Sequence, residues 1–504
     1  MPSVANLVSA LLVVAAPTLV AIALLQGPSG GELFHYAPQW SDEVFNWHQV
    51  ATFKAVGFEG GYYTAYEKEA PLSFSHFYNH GPVYPALLGM LARVFGWEFY
   101  SAPILNLIMV SLSLVFFIAF TRPNLPQLGL LGLVVATAWP MHLYMLTDMR
   151  VAFFCALGII LAGFFSRTIN EGEEQALSGK ALATFGVVIA FAAISKLTWS
   201  FLFFPYFLHA RKRLNLTTFR AVGLSLILVT ASFLLYNQLA APYPNFATEL
   251  LTQLGRSIPR AIELALEHIW FNLGNFIERD HRLLWLMLRL QMIICLGWAG
   301  FLLWKRRDSP EDWKESSVIV AGAGSLVILT ILLYDVFGWR DYRLFAPVIL
   351  LCSLILISRE RRILVGLLII GNLLVLPDFI AAHELVFARG RFPEKRENLE
   401  QFIEEISPLI QYDEEKSSWQ NTVLVPLSVA INPLVIGIPE GVGISWFKFA
   451  DQLPRMRSGY AILDIGSYQF LRQRNNLSFV KRTALGDLYI NRNAENQGPG
   501  HPSR

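Results

Sequence analysis

Apolar residues run through this chain in long blocks, each bounded by a few polar or charged positions. A membrane-spanning helix needs about 20 mainly apolar residues. About eleven blocks approach that length. They are residues 4–25, 100–120, 127–146, 151–169, 181–195, 197–208, 221–236, 283–304, 317–334, 344–357 and 363–380. Several are short, and the pair meeting at Lys196 reads almost as one long helix. The first block has no basic stretch before it and no small-residue cleavage site after it. It reads as a retained first span rather than a signal peptide. Residues 80–97, HGPVYPALLGMLARVFGW, are apolar too, but carry two prolines near the start and Arg93 near the end. They read as a helix lying in or dipping into the outer interface. Were they a true span, every later segment would change sides.

The polar intervals set the expected orientation. Basic clusters stand at Arg211, Lys212 and Arg213, at Lys305, Arg306 and Arg307, and at Arg359, Arg361 and Arg362. With the N-terminus inside and about eleven spans, all three face the cytoplasm, as positive charge prefers. Residues 26–79, an amphipathic stretch at 237–281 and a tail from about residue 383 then lie outside. In the tail, Leu399, Phe402, Ile403, Ile406 and Ile410 recur at helical spacing. Residues 422–430 and 460–465 read as strands, and 477–491 as a strand pair turning near Gly486. The last residues, from 493, are expected to fray. The expected fold is mainly α: a polytopic transmembrane helix bundle over residues 1–382, with a first outer loop at 26–80 and an interfacial helix at 80–97. A small extracytoplasmic α/β domain at 383–504 completes it.

Composition agrees. Of 504 residues 54% are hydrophobic and 15% charged, where soluble domains average about 25% charged. A net charge of +2 gives no basic domain for nucleic acid. Cys155, Cys295 and Cys352 all fall inside apolar blocks, without metal-ligand or disulfide spacing.

Charges at a bilayer edge are expensive and tend to mark function. On the expected outer face stand Asp42 and Glu43 in WSDEVFNW, His80, Asp148 in the short turn LTDMRV, and Lys196 in AAISKLTW. Arg340, Asp341 and Arg343 follow in WRDYRLFAP. Each has a plain alternative. The acids could cap helices, Lys196 could snorkel, Arg343 could pair with Asp341, and His80 could be a surface hydrogen-bonding residue. Their convergence on one face favours a chemical role. A carboxylate can take a proton from a hydroxyl, while Lys and Arg hold a phosphate and stabilise the charge it gains on leaving. A lipid-linked phosphosugar would carry its phosphate at this depth. Transporters place ionisable residues near the midplane, often with repeat symmetry, and neither is evident here.

The segments SDEVFNWHQVA, HGPVYPALLGMLARVFG, LTDMRVAFF, ISKLTWSFLFFP and RDYRLFAPVILL, in that order, resemble the GT-C superfamily of integral-membrane glycosyltransferases. That superfamily includes bacterial aminoarabinose transferases and protein O-mannosyltransferases. The resemblance covers about residues 1–380. It implies Asp42 as general base with Glu43 its neighbour, Asp148 as the second-loop acid, and Lys196 and Arg343 as donor-phosphate contacts. Arg340, Tyr342 and His80 join them as substrate-binding residues. Two departures stand out. The family commonly has His-Pro-Pro where this chain has His80, Gly81 and Pro82, and Arg-Tyr-x-x-Pro where it has Arg343, Leu344 and Pro347.

The expected activity is hexosyl or pentosyl transfer from a polyprenyl-phosphate-linked donor to an acceptor hydroxyl of a glycan, lipid or protein. It would occur with inversion, at the extracytoplasmic side of a plasma (inner) membrane. No metal ligands are assigned and no cofactor is required, although His80 with an acid offers a place for a divalent ion. A flippase of a lipid-linked saccharide and an inert membrane subunit remain the alternatives.

Overall fold

The computed structural model describes residues 4–495 apart from 73–75, 171–176, 244–245, 279–282, 306–308, 334–341, 388–390 and 454. Arg306, Arg307, Arg340 and Asp341 therefore lie outside the described residues, and so do the last residues, from 496.

Among the described residues six helices are long and apolar enough to cross a membrane. They are α1 (Val4–Gln26), α4 (Ser101–Thr121), α7 (Val151–Asn170), α10 (Thr218–Leu239), α13 (Leu283–Trp304) and the composite helix Pro310–Leu333. That last span joins α14 (Pro310–Ile319) to α15 (Ser325–Leu333) through a π-helical turn at Val320–Gly324. Two further expected spans are bent pairs: α5 (Leu125–Thr137) with α6 (Trp139–Met145), and α17 (Arg362–Leu374) with α18 (Leu376–Val386), each broken by 55°. Both breaks have one cause. Pro140 and Pro377 stand in the first turn of α6 and α18, and a proline has no N–H to donate to the carbonyl four residues back, against which its ring also clashes.

The remaining apolar blocks are shorter helices. They are α8 (Gly179–Ser195), a 3-10 segment at Leu197–Leu202 leading into α9 (Phe203–Ala210), and α16 (Tyr342–Ser358). The chain between α8 and α9 thus turns at Lys196 instead of running straight. Helices α7 and α16 form the buried centre of the bundle, and their backbones meet closely at Gly158. A Cβ there would lie 2.8 Å from the Pro347 carbonyl oxygen, an approach that small residues permit.

One of the basic clusters meets acids at one end of this bundle. Glu315 on α14 is fully buried and pairs with Arg361 at 2.8 Å and Arg359 at 3.3 Å, while its other oxygen accepts from Trp298 Nε1 at 2.7 Å. Arg359 also reaches Asn170, the last residue of α7, at 3.2 Å. A buried carboxylate is tolerated when paired and hydrogen-bonded in this way.

Three elements follow α1 at the opposite end: α2 (Ser41–Val56), strand β1 (Tyr63–Ala65) and α3 (Val83–Phe95). Helix α3 is the helix expected over residues 80–97. It buries Tyr84, Leu88 and Ala92 and leaves Met90, Val94 and Phe95 exposed. Its Gly89 lets it lie against Phe53 of α2, whose ring a Cβ would approach to 2.5 Å.

The amphipathic stretch after α10 forms α11 (Phe246–Arg256) and α12 (Ile258–Glu278). The tail begins with α19 (Arg391–Ile406), then β2 (Thr422–Pro426), α20 (Leu427–Ala430), β3 (Gly443–Phe447), β4 (Tyr460–Leu463), α21 (Ile465–Leu471) and the hairpin β5 (Leu477–Thr483) to β6 (Gly486–Asn491). The strand expected over 422–430 ends at Pro426, after which four residues turn as a helix.

The six-stranded sheet has the order β1-β3-β2-β4-β6-β5. Its edge strand β1 comes from the first loop and pairs parallel to β3, Thr64 opposite Ser445. The first loop and the tail, expected as separate pieces, therefore fold as one layer.

Candidate active site

Helix α2 carries the two adjacent acids, and the structure separates their roles. Glu43 is 1% exposed. Its Oε2 accepts from the main-chain N–H groups of Gln39 and Trp40, both at 2.9 Å, and its Oε1 from the Tyr36 hydroxyl at 2.8 Å. Those N–H groups precede the helix and have no partner within it, so the carboxylate fixes where α2 starts. Burial pushes the Glu43 carboxyl up, against the pull of these hydrogen bonds. Glu43 therefore caps α2, with both carboxylate oxygens held.

Asp42, about a quarter-turn round the helix, points elsewhere. It is partly exposed and forms an ion pair with Arg343 in the first turn of α16. Burial raises its carboxyl, but the Arg343 guanidinium together with the other positive charge around it outweighs that and holds it below its ordinary value.

Asp148 is fully buried. Its Oδ1 accepts from the Tyr84 hydroxyl at 2.8 Å, and Oδ2 has no hydrogen-bond partner. Burial raises its carboxyl well above the ordinary range. Its backbone is held as firmly: the N–H donates to the Tyr36 hydroxyl at 3.0 Å, and the carbonyl accepts from Asn46 Nδ2 at 2.9 Å. Asn46 is one turn beyond Asp42 on α2, hence on the same face. The Asp148 turn braces that face from below.

The same turn supplies a residue that the sequence reading passed over. Arg150 is 7% exposed, donates from Nε to Asn46 Oδ1 at 2.9 Å, and lies over the Tyr84 ring at 5.1 Å. Its Nη1 reaches the His80 carbonyl at 3.4 Å, while Nη2 is buried without a partner. The signal was present: a cation two residues from Asp148 in a turn otherwise nearly free of charge.

Lys196 ends α8. Its Nζ donates to the Leu344 carbonyl at 3.1 Å and sits 5.3 Å from the centre of the Phe154 ring. That places it beside Arg343, the neighbour of Leu344. His80 lies in the turn before α3, within electrostatic reach of Arg150, Asp42, Arg343 and Lys196. Burial, and then the charge of Arg150, pull it down to about 3, so the imidazole is neutral at physiological pH. Five separate segments thus bring together one ionised carboxylate, three cations and a neutral histidine. Tyr342 opens α16, but only its backbone is described, and Arg340 lies outside the described residues. Among the described residues no three His, Cys, Asp or Glu side chains group as a metal site.

The tail domain holds α2 from the other side. His48 Nε2 lies 2.5 Å from the Ile438 carbonyl, which can only accept, so Nε2 carries the proton. Its Nδ1 then accepts from the Tyr63 hydroxyl at 2.5 Å, which in turn accepts from Thr52 Oγ1 at 2.6 Å. Thr52 finally accepts from the Gly441 N–H at 3.2 Å. Burial pulls His48 down to about 4, which keeps this chain of donors in one direction. Lys54 pairs with Glu440 at 2.9 Å on the next turn.

No family model matches the chain, and no curated protein does. Solved structures do. One is the oligosaccharyltransferase of Archaeoglobus fulgidus, in complex with Zn and sulfate, with a TM-score of 0.49 and 11% identity over 95% of this chain and 73% of that one. Another is ArnT from Cupriavidus metallidurans in the apo state, with a TM-score of 0.42 and 13% identity over 97% of this chain and 99% of that one. The same enzyme bound to undecaprenyl phosphate gives 0.40 and 14% over the same shares. Each likeness spans 95–97% of this chain at 11–14% identity.

Proposed function

We propose that the protein is a membrane glycosyltransferase that moves a sugar, with inversion, from a polyprenyl-phosphate donor to an acceptor hydroxyl. The observation that carries this reading is the partly exposed Asp42 carboxylate set among three cations from separate segments. Asp42 takes the proton of the acceptor hydroxyl. The freed oxygen attacks the anomeric carbon, the bond from that carbon to the phosphate oxygen breaks, and polyprenyl phosphate leaves with the electron pair. Lys196, Arg343 and Arg150 complement the charge that the phosphate gains, and such charge-directed stabilisation is commonly the largest catalytic contribution. No metal is needed to balance it.

The Asp42–Arg343 pair adds a control on timing. The donor phosphate offers the Arg343 guanidinium a second anionic partner, one it can bind through two parallel N–H bonds. Donor binding draws Arg343 away and leaves Asp42 more basic, so the base is released when the donor is seated.

Replacing Lys196 or Arg343 by Gln should weaken use of the donor by about 10- to 100-fold each, since a hydrogen bond to a charged group is worth roughly 1.5–3 kcal/mol. Arg343→Lys should lose activity as well if the contact uses both guanidinium arms. Initial rates against donor concentration read this directly, and wild-type rates in both Gln variants would remove the phosphate assignment. The test of the function as a whole is transfer of labelled sugar from a polyprenyl-phosphate donor by the purified protein in nanodiscs. Translocation without transfer would favour the flippase.

The reading places the site at the extracytoplasmic face of a plasma membrane, with the N-terminus inside. Glu414 and Lys212 are exposed and fall on opposite sides in this topology. A cysteine at Glu414 should react with an impermeant reagent added to intact cells, and one at Lys212 should not. The native cysteines are all buried, which keeps background labelling low. Labelling at Lys212 alone would invert the topology.

A further inference from the structure

Helix α12 has three distinct faces. Ala261, His268 and Asn272 form the first and are 2%, 8% and 1% exposed. They turn to the protein. The Phe246 ring of α11 stacks on His268 at 3.5 Å, and Asn272 Nδ2 donates to the Ile331 carbonyl of α15 at 3.1 Å. Ile258, Ile262, Leu266 and Trp270 form the second, at 62%, 55%, 61% and 79% exposure. Arg260, Glu263 and Glu267 form the third and are exposed too.

At about 100° per residue the apolar four fill one continuous arc. The charged three fill the arc beside it, and the packed three lie opposite. The arrangement is inside-out for a water-exposed helix: its small and polar residues face the protein and its largest apolar ones face away. The charged arc also rules out a path through the membrane core, because it would hold three charges against acyl chains. A helix lying where protein, lipid and water meet satisfies all three faces at once.

We propose that α11 and α12 form a membrane-surface hairpin, with α12 lying along the bilayer plane and Ile258, Ile262, Leu266 and Trp270 immersed among lipid. The occupant of the apolar face is the bilayer that already surrounds the spans. The helix packs on α15, whose outward Ile328 is 56% exposed, and it follows α10, whose Ile227 is 63% exposed. On spanning helices such side chains have only lipid to meet, and the α12 stripe continues that surface. The water-facing arc pairs Arg260 with Glu263 at 2.6 Å and adds Glu267, so it carries no excess of positive charge. Seating therefore does not depend on anionic headgroups.

The test places one spin label at a time at Ile262, Leu266, Glu263 or Glu267 in the full-length protein. The protein is reconstituted in phosphatidylcholine vesicles, with and without phosphatidylglycerol. Labels at 262 and 266 should collide severalfold more with oxygen, which concentrates in lipid, than with a water-soluble nickel chelate. Labels at 263 and 267 should show the reverse, and neither pattern should change with anionic lipid. Nickel access at 262 and 266 equal to that at 263 would overturn the proposal in favour of a water-exposed hairpin. Exclusion of both reagents at 262 and 266 would overturn it in favour of a second protein copy covering the stripe. A pattern seen only with phosphatidylglycerol would overturn the claim that seating is independent of charge. All four positions are exposed, so labelling them leaves the packed face untouched.

Discussion

Asp42→Asn should cut turnover by about 10²-fold or more, the usual loss when general-base help is removed, while expression and melting stay nearly unchanged. The substitution keeps size and hydrogen-bonding capacity and removes only the ability to take a proton. The pH profile gives a second, independent reading. Burial raises the Asp42 carboxyl, and Arg343 with the other positive charge around it lowers it further than burial raises it. The Asp42 carboxyl is therefore ionised throughout the neutral range, and if it is the base the acid limb of kcat/KM falls below the ordinary carboxylate value. Activity is lost as pH drops through that limb, because a protonated carboxyl cannot accept. In Arg343→Gln burial loses its main opponent, so the limb moves up. Rates and pH profiles of the purified variants check both statements. Normal turnover in Asp42→Asn, with loss in Glu43→Gln, would move the base by one residue.

Glu43→Ala should do the opposite: it should destabilise the protein by about 3 kcal/mol or more. It leaves two main-chain donors and one tyrosine hydroxyl without their charged acceptor, and unsatisfied buried donors cost roughly 1–3 kcal/mol each. Glu43→Gln retains one carbonyl oxygen and should recover part of the loss. Thermal unfolding followed in detergent measures this. If Glu43→Ala melted like the wild type, the capping role would be wrong. The paired acids thus make opposite signatures, one losing rate at constant stability and the other losing stability first.

The bundle was legible because apolar length is a direct physical demand of the bilayer, and among the described residues each expected block is largely helical. The bends were less so. Pro140 and Pro377 sit in plain view, yet whether a proline ends a span or kinks it depends on packing around it. Strand β1 escaped notice because three residues, Tyr63–Ala65, give no alternation to read. Its partner β3 in GISWF is buried along its whole length, so it lacks the alternation that marks a half-buried strand. At the site, the sequence could bring Asp42 and Glu43 to notice but could not rank them by environment. Only the fold shows that Tyr36, Gln39 and Trp40 close around one and leave the other to Arg343. Arg150 was missed for a related reason. Its importance comes from Asn46 and His80, which are far away in the chain.

The sheet that joins the first loop to the tail also sets a clock on biosynthesis. His48 and Ile438 hydrogen-bond across 390 residues of chain. At 5–20 residues per second a ribosome needs about 20–80 s to cover that distance. For that interval α2 and β1 have already emerged, yet the strand and carbonyl groups that fix them do not exist. The segment bearing Asp42 waits with an unpaired edge and open hydrogen-bonding groups while helix after helix enters the bilayer. A chain halted short of β3 would carry its helices in the membrane but lack the partners that hold the Asp42 segment in place.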